Sequence, residues 1–291
     1  MSANRPVSVV VPVYNGERTI ADTVRSLLAL DYPAECLELI VVDNGSSDRT
    51  AEILARFSDR IRVIHQPRRG RSQARNAGIA AARHSAVAFI DADCTASPGW
   101  LKHLVPRLED PGVGIVGGRI VTARPCNAIE EFGERLHDHR QSIETYAPPY
   151  AMTGNWASPR GLLLEIGGFD EKISRGEDCD LSYRMLQAGY RIVYEDGAVV
   201  SLRSRSTLGA LFREGFQHGF YSVPLLARHE AFVRGYCYAS EPLHRYKQLA
   251  RKMALTLRGK ADEATRLATV FETGKRAGKI CGSVRFGRLE L

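Results

Sequence analysis

The sequence predicts an α/β protein with a mostly parallel central sheet flanked by helices, followed by a helical, basic C-terminal extension. Apolar, β-branched segments alternate along the chain with segments whose apolar residues recur at helical spacing. Such alternation is typical of a parallel sheet covered by helices. With 291 residues, of which 44% are hydrophobic, the chain is long enough to bury a sizeable core.

Local patterns predict the individual elements. Residues 7–13 are valines broken by one serine and one proline, which predicts a strand, and Ile20, Val24 and Leu27 then recur at helical spacing. The alternation continues with predicted strands at 37–42, 61–64 and 87–90, with helices capped by Asp48 and Ser72, and with a helix after Pro98. Beyond residue 113 the pattern is mixed, with strands at 113–121 and around residues 192 and 199, and a helix at 178–187.

Charge is unevenly distributed along the chain. From Arg203 onward, 17 Lys or Arg residues stand against 7 Asp or Glu, a net charge of +10, whereas residues 1–202 carry −3. A basic tail of this kind can meet anionic lipid, nucleic acid or a phosphorylated substrate, or can form a solvated helix face. No nucleic-acid recognition motif accompanies the tail, so we expect no nucleic-acid partner.

Cysteine spacing and hydropathy indicate the compartment. The six cysteines lack the spacing of a zinc site or a disulfide framework, which favours a reducing environment. The amino-terminal residues show no recognisable secretory signal, and no segment approaches the roughly 18 apolar residues that a spanning helix needs. We therefore expect a cytoplasmic protein, and the basic tail leaves peripheral attachment to the cytoplasmic face of a membrane as an alternative.

Polar segments follow three of the predicted strands. These segments are YNGE at 14–17, DNGSSD at 43–48 and DAD at 91–93. Because parallel α/β sheets bind ligands beyond the carboxyl ends of their strands, we expect one crevice to collect all three segments.

The D-A-D segment carries the strongest chemical signal. Asp91 and Asp93 stand two residues apart, so on an extended chain both side chains share a face and can converge on a metal, a ribose or a phosphate. Turn carboxylates that cap the next helix are the alternative interpretation. The buried segment VAFI before them favours a ligand site, because it delivers both acids to the sheet edge.

Other donor-side candidates lie near the same edge. Tyr14 offers a ring face for a base, Glu17 an acceptor for a ribose, and Asp43 an acceptor for a base N–H. A surface aromatic, a first-turn carboxylate and an Asx-turn are their respective structural alternatives. Gly70 and Arg71, with Arg75 and Asn76 one turn on, place positive charge before a helix, where phosphates bind; a solvated basic loop is the alternative.

A second acidic cluster, GEDCD at 176–180, opens a predicted helix. A carboxylate at the lip of a cleft can remove a proton from an acceptor, and Asp178 is the candidate base, with Glu177 as its orienting neighbour; helix capping is the alternative. Trp156 is predicted either as a platform for a sugar ring or as a core aromatic.

The ordered set VSVVVPVYNGE, VVDNGSSDRT, GRSQARNAG, FIDADC, GGFDE and GEDCDLSYRMLQAGYRI resembles family 2 glycosyltransferases with the GT-A fold, over about residues 5–220. The resemblance implies an inverting transfer from a nucleotide sugar, with UDP favoured, and a divalent cation, Mg or Mn. It implies that Asp178 is the base, and it places the following residues at the donor and its metal: Pro12, Tyr14, Glu17, Asp43, Asp91, Ala92 and Asp93.

The element pattern and the basic tail also divide the chain. Residues 1–205 form the expected catalytic domain, with a nucleotide-binding half at 1–112 and an acceptor half at 113–205, and residues 206–291 form the extension. The acceptor is expected to be a sugar, a lipid-linked group or another hydroxyl compound. Many relatives carry a metal-binding histidine where this sequence has Leu202, which leaves the third protein ligand open.

Two other functions are compatible with parts of this pattern. A sugar nucleotidyltransferase would also use an α/β nucleotide site with acidic metal ligands, but the second acidic cluster disfavours it. A noncatalytic, membrane-associated scaffold that binds nucleotide sugars is disfavoured because both acidic clusters are retained. The sugar, the acceptor and the linkage do not follow from these residues.

Overall fold

The computed structural model describes residues 5–236 and 241–289; Cys237 lies outside them. The described residues form an eight-stranded sheet. Its strands are β1 (Val7–Val13), β2 (Leu37–Asp43), β3 (Arg62–His65), β4 (Ala86–Ile90), β5 (Cys94–Ala96), β6 (Val113–Thr122), β7 (Asn155–Pro159) and β8 (Arg191–Leu202).

Helices occupy most of the intervening chain and most of the described residues beyond 207. They are α1 (Ile20–Leu28), α2 (Thr50–Ala55), α3 (Arg71–Ala81), α4 (Trp100–Leu104), α5 (Ala128–Leu136), α6 (His139–Glu144), α7 (Arg160–Glu165), α8 (Glu177–Gln187), α9 (Leu208–Arg228), α10 (Glu230–Arg234), α11 (Glu241–Leu257) and α12 (Glu263–Phe286). Helix α3 differs from the prediction at its start. Gly70 is its N-cap, and Ser72, the expected cap, is buried in the first turn.

The strand order is β3-β2-β1-β4-β7-β6-β8-β5. The first four strands in this order pair in parallel, as the βα alternation predicts. Strand β7 then runs antiparallel to both β4 and β6, and β5 runs antiparallel to β8. The expected α/β architecture is confirmed, and the parallel half of the sheet brings the ends of β1, β2 and β4 to one edge.

Both faces of the sheet are buried at β1, β2 and β4. Val9 and Val11 of β1 contribute to a core cluster on one face, and Val10 packs with Ile40 and Phe89 on the other. Alternate side chains of a strand point to opposite faces, so burial of both faces requires a continuous apolar segment. This requirement explains why β1, β2 and β4 consist mostly of valine, isoleucine and other apolar residues.

The chain divides into two compact units, a sheet unit (Met1–Val121 and His137–Arg203) and a helical unit (Thr122–Leu136 and Ser204–Leu291). The sequence pattern placed residues 122–136 with the sheet. In the structure Phe132 of this segment is buried with Leu211, Leu267 and Phe271 in the core of the helical unit. Helix α5 therefore belongs with the C-terminal helices, because they cover its apolar face.

Helices α9 and α12 of the helical unit approach each other to backbone contact. Their contact line, the glycine seam, consists of Gly215, Gly219, Gly274, Gly278 and Gly282. A Cβ atom at Gly219 would lie 1.9 Å from the carbonyl oxygen of Lys275, and one at Gly278 would lie 2.0 Å from that of Phe216. No other residue type fits such positions without separating the helices.

The apolar residues in the first turns of α9 have different environments. Leu211 is 1% exposed in the core of the helical unit, whereas Leu208 and Phe212 are 51% and 39% exposed. Within residues 5–236 and 241–289, the structure contains no helix that is both long enough and apolar enough to cross a bilayer.

Candidate active site

The ends of β1, β2 and β4 form the expected ligand edge. Strand pairing sets Val13 beside Asp43, and it sets Val10 beside Phe89. Asp91 follows Phe89 by two residues and therefore reaches the same edge. The residues predicted from three separate segments are thus brought together by strand register.

Hydrogen bonds join the loop after β1 to the loop after β2. The backbone N–H of Asn15 donates to Ser46 Oγ at 2.9 Å, and its side-chain oxygen accepts from the N–H of Ser47 at 2.8 Å. The N–H of Glu17 donates to Asp48 Oδ2 at 3.0 Å. Asn15 has a φ of 51°, a left-handed conformation that asparagine tolerates better than most residues. The two loops therefore form one braced rim.

Tyr14, Asp43 and Glu17 lie along this rim with different surroundings. The ring of Tyr14 is 47% exposed, and the guanidinium of Arg69 lies 4.7 Å from its centroid. Asp43 is buried and accepts a hydrogen bond from the N–H of Ser46 at 3.1 Å, the Asx-turn that was its alternative interpretation. The exposed ring of Tyr14 leaves an aromatic surface that a base can reach.

Asn44 organises the next loop and was not singled out from the sequence. Its side-chain amide donates to the carbonyl oxygens of Gln66 and Arg68 at 3.1 and 2.7 Å, and its oxygen accepts from the N–H of Gly70 at 2.7 Å. All three bonds hold the loop that leads into α3. Exposed Arg71 begins that helix, and the loop is fixed just before it.

The D-A-D segment leaves the end of β4 and turns into β5. Asp91, Ala92 and Asp93 are all partly exposed. Strand β5 pairs Cys94 with Leu202, and the N–H of Arg203 donates to the carbonyl oxygen of Asp93 at 3.3 Å. Leu202 therefore pairs with the residue that directly follows D-A-D. The resemblance places a histidine at this position, but Leu202 has an apolar side chain.

Arg75 links the two acidic clusters. Its Nη2 donates to Asp91 Oδ1 at 2.9 Å and its Nη1 donates to Glu177 Oε1 at 2.9 Å. Arg75 is 3% exposed. The sequence suggested that Arg75 presents charge to a phosphate, but burial between two carboxylates makes it an internal counterion instead.

Asp178 lies at the start of α8, beside buried Glu177. Burial, followed by the negative charge of Glu177, raises the pKa of Asp178 to about 6, although a hydrogen bond from the N–H of Cys179 and the charge of Arg75 oppose this rise. The N–H of Cys179 donates to Asp178 Oδ1 at 2.9 Å. A carboxylate with a pKa near 6 is still ionised at neutral pH and binds a proton more readily than an ordinary aspartate.

Tyr150 is a further neighbour of Asp178 that sequence reasoning missed. Burial, and then the charges of Cys179 and Asp178, raise the pKa of the Tyr150 hydroxyl well above its ordinary value. Tyr150 therefore stays neutral at any pH at which Asp178 titrates. Its position in an irregular segment before β7 gave no periodic signal that could have identified it.

Trp156 does not offer a platform to a ligand. It is 1% exposed and stacks on Phe89 with ring centroids 4.9 Å apart, and Phe169 meets its edge at 6.0 Å. The core interpretation of this residue therefore replaces the sugar-platform interpretation. Alternation along β7 directs its ring into the sheet face that α3 and α8 cover.

The turn of the GGFDE motif is fixed by two polar side chains. Arg184 of α8 donates to the carbonyl oxygens of Ile166 and Gly168 at 2.9 and 2.7 Å. Asn76 of α3 donates to the carbonyl oxygen of Phe169 and accepts from its N–H. The turn thereby connects α3 to α8, the helices that carry Arg75 and Asp178.

The chain has sequence relatives among known proteins. The chain is 33% identical over 238 residues to the pre-mycofactocin glycosyltransferase of Mycobacterium tuberculosis. The aligned region covers 78% of this chain and 49% of that protein. The chain thus spans about half the length of this relative.

Two solved structures share the fold. The mannosyltransferase PcManGT from Pyrobaculum calidifontis, in complex with GDP-Man and Mn2+, has a TM-score of 0.72 at 21% identity and covers 96% of this chain and 87% of its own. TarS 1-349 from S. aureus, in complex with UDP-GlcNAc, has a TM-score of 0.56 at 18% identity and covers 98% and 93%. The likeness confirms a GT-A type fold.

The family model described as Glycosyl transferase family 2 matches residues 8–166. The matched residues include the rim loops, both arginines of α3 and the D-A-D segment. Since the match spans more than half of the chain, this protein belongs to glycosyl transferase family 2.

Proposed function

We propose that this chain is an inverting glycosyltransferase that moves a sugar from a nucleotide sugar, with UDP favoured, to an acceptor hydroxyl in glycoconjugate synthesis. The observation that carries this proposal is the shared contact of Arg75 with Asp91 and Glu177, because it brings the D-A-D segment next to the helix start that bears Asp178. A donor site and a proton acceptor then lie at one sheet edge. Transfer to a hydroxyl requires both.

In the proposed reaction Asp178 removes the proton of the acceptor hydroxyl while that oxygen attacks the anomeric carbon. The bond from this carbon to the leaving oxygen breaks on the opposite face, and its electron pair leaves with the nucleoside diphosphate. A single displacement inverts the anomeric centre. Because the pKa of Asp178 is raised to about 6, the base is ionised above this pH, and activity should rise as the pH increases through it.

The donor would lie along the braced rim. We assign base and ribose contacts to Pro12, Tyr14, Glu17 and Asp43, all at or just beyond the ends of β1 and β2. Arg71 is exposed in the first turn of α3 and supplies positive charge toward a diphosphate. Ala92 contributes backbone between the two aspartates.

Asp91 and Asp93 fit a divalent cation, Mg or Mn, because carboxylate oxygens are hard ligands. Asp91 Oδ1 already accepts from Arg75, so its second oxygen is the one expected to face a cation. In the part of the chain that the structure describes, no three His, Cys, Asp or Glu side chains are grouped to hold a metal. We infer that diphosphate and water supply most ligands. A bound cation would neutralise charge on the leaving diphosphate.

The donor class is tested by a screen of nucleotide sugars with this chain. PcManGT holds GDP-Man and TarS holds UDP-GlcNAc, so uridine and guanosine donors should both be included, each with Mg2+, Mn2+ or a chelator. We expect metal-dependent binding and slow donor hydrolysis with one nucleotide class, followed by transfer once an acceptor is found. Absence of binding with every donor would contradict the proposal.

Replacing Asp93 with alanine should weaken metal-dependent donor binding. The change removes one of the two aspartates proposed to bind the cation. We therefore expect the apparent affinity for donor in Mn2+ to fall roughly tenfold or more. Calorimetric titration of donor at several Mn2+ concentrations measures this effect. Asp22→Ala is the control, because Asp22 is an exposed acid of α1 that pairs with Arg25. Identical titrations for Asp93→Ala and the unaltered chain would reject the ligand assignment.

We further propose that the helical unit binds an anionic membrane surface. On α12, Ile280 and Val284 are 54% and 81% exposed at a spacing of one turn, and exposed Arg285 follows them. The net charge of +10 from Arg203 onward attracts anionic headgroups. Apolar side chains beside cations are what an interfacial helix requires.

Vesicle sedimentation should detect this binding. We expect the chain to bind vesicles more strongly as their anionic lipid content rises and less strongly as salt is added. Ile280→Asp/Val284→Asp should weaken binding more than about tenfold, because each buried CH2 group is worth about 0.8 kcal/mol. Leu164→Asp, at a 49% exposed site on α7, is the matched control. A chain that stays in the supernatant with anionic vesicles at low salt would disprove membrane binding.

A further inference from the structure

Arg75 holds its two carboxylates through separate nitrogen atoms. Nη1 binds Glu177, and Nη2 binds Asp91. The Nε of Arg75 finds no hydrogen-bond acceptor among the described residues, so the carboxylates account for the polar contacts of the guanidinium. Its Cζ lies 5.6 Å from the ring centroid of Phe169, which closes the apolar side. A single orientation of the guanidinium satisfies this environment.

The two bonds connect parts of the chain that are far apart in sequence. Arg75 is separated from Asp91 by 16 residues and from Glu177 by 102. Asp91 is the first aspartate of D-A-D, and Glu177 directly precedes the proposed base. An ammonium group would reach one carboxylate as a point charge, whereas the planar guanidinium spans both.

We propose that Arg75 is a positioning residue that fixes Asp91 in one orientation for the donor and, through Glu177, fixes the start of α8 for the base. The proposal rests on the functions proposed above for Asp91 and Asp178. Arg75 is too deeply buried to contact the donor or acceptor and therefore acts through these acids. Its charge also offsets the negative charge of Asp91 and Glu177, both of which it contacts.

The groups around Asp178 give this role a distinctive electrostatic signature. They are Glu177 and Cys179 from α8, Arg75 from α3 and Tyr150 from the segment before β7. Arg75 lowers the pKa of Asp178 and Glu177 raises it. Loss of the arginine charge should therefore raise this pKa, and loss of the glutamate charge should lower it.

The first experiment measures the Asp178 titration directly and needs no donor. The full chain is labelled with carboxyl-13C aspartate, and the Asp178 resonance is assigned by its loss in Asp178→Asn. We expect Arg75→Met to move its midpoint up and Glu177→Gln to move it down, each by about one pH unit or more. The double variant Arg75→Met/Glu177→Gln should return close to the unaltered value.

A matched control lies at the opposite end of the same sheet. Arg83 donates to buried Glu38 at 2.8 Å near the amino-terminal end of β2. Arg83→Met removes an arginine–glutamate pair whose arginine is more exposed than Arg75, and we expect no shift of the Asp178 midpoint. Shifts in the same direction for Arg75→Met and Glu177→Gln, or no shift in either, would overturn the proposal even if no donor is ever turned over.

Arg75→Lys separates the effect of the positive charge from the effect of the two-carboxylate contact. It also keeps the proposal testable if Arg75→Met does not fold. Lysine keeps the positive charge, so the Asp178 midpoint should stay close to its original value. It cannot hold both carboxylates, so kcat with the donor found by the screen should fall roughly 100-fold. Full kcat in Arg75→Lys would show that the two-carboxylate contact has no positioning role.

Discussion

Asp178→Asn is expected to abolish sugar transfer and to leave donor binding nearly unchanged. Asparagine has almost the same shape and can still accept the hydrogen bond from the N–H of Cys179, but its amide cannot take a proton from the acceptor. Loss of a general base costs roughly 10²- to 10⁴-fold in rate. Single-turnover transfer and calorimetric donor titration, measured on the same preparation, separate the two effects.

Asp180→Asn is the matched control for this substitution. Asp180 lies on the same helix, is fully buried, and accepts from Arg184 Nε at 2.9 Å. Its replacement removes a charge from the same cluster without touching the proposed base, so it should reduce stability while the folded protein keeps most of its kcat. If Asp178→Asn transferred sugar as fast as Asp180→Asn, the base assignment would be untenable.

Gly219→Ala should strongly destabilise the helical unit, although alanine is ordinarily the better helix former. The added Cβ would lie 1.9 Å from the carbonyl oxygen of Lys275, so α9 and α12 must move apart along the glycine seam. Overpacking of a tight contact costs about 1–3 kcal/mol and sometimes more. Amide hydrogen exchange within α9 and α12 reports this loss without assuming that both units unfold together.

The same substitution in the same helix should have the opposite effect at Gly209. A Cβ there meets nothing within 4 Å, so Gly209→Ala should stabilise α9 by about 0.5–1 kcal/mol through helix propensity. Comparison of the two variants separates the effect of the close helix contact from the effect of replacing glycine with alanine. Equal protection of α9 in Gly209→Ala and Gly219→Ala would mean that the helices do not touch through their backbones.

Much of the sheet unit follows from local pattern. The predicted strands at 37–42, 61–64 and 87–90 each lie within one residue of β2, β3 and β4, and the predicted helix at 178–187 within one of α8. Burial on both faces leaves an apolar signal at most positions of β2 and β4. The convergence of the strand ends followed in turn from parallel pairing, so the donor side of the proposed site was predictable.

The partners of buried polar residues did not follow from pattern. Arg75 resembles any solvated arginine of a basic loop, because the carboxylates that neutralise it lie in other segments of the chain. Asn44 stands in a turn sequence, and only the folded loop at 66–70 shows what it binds. The sequence allows two interpretations of Trp156 equally, because an aromatic residue in a strand can face either a core or a ligand. Tertiary packing decides each of these cases.

The assignment of α5 to the helical unit has a consequence for synthesis of the chain. Phe132 emerges from the ribosome well before its buried neighbours Leu267 and Phe271, which follow 135 and 139 residues later. At about 5–20 residues per second this interval is roughly 7 to 28 s. Throughout it, the apolar face of α5 has no complete core to enter, and a chaperone that recognises exposed aromatic segments would find its target there.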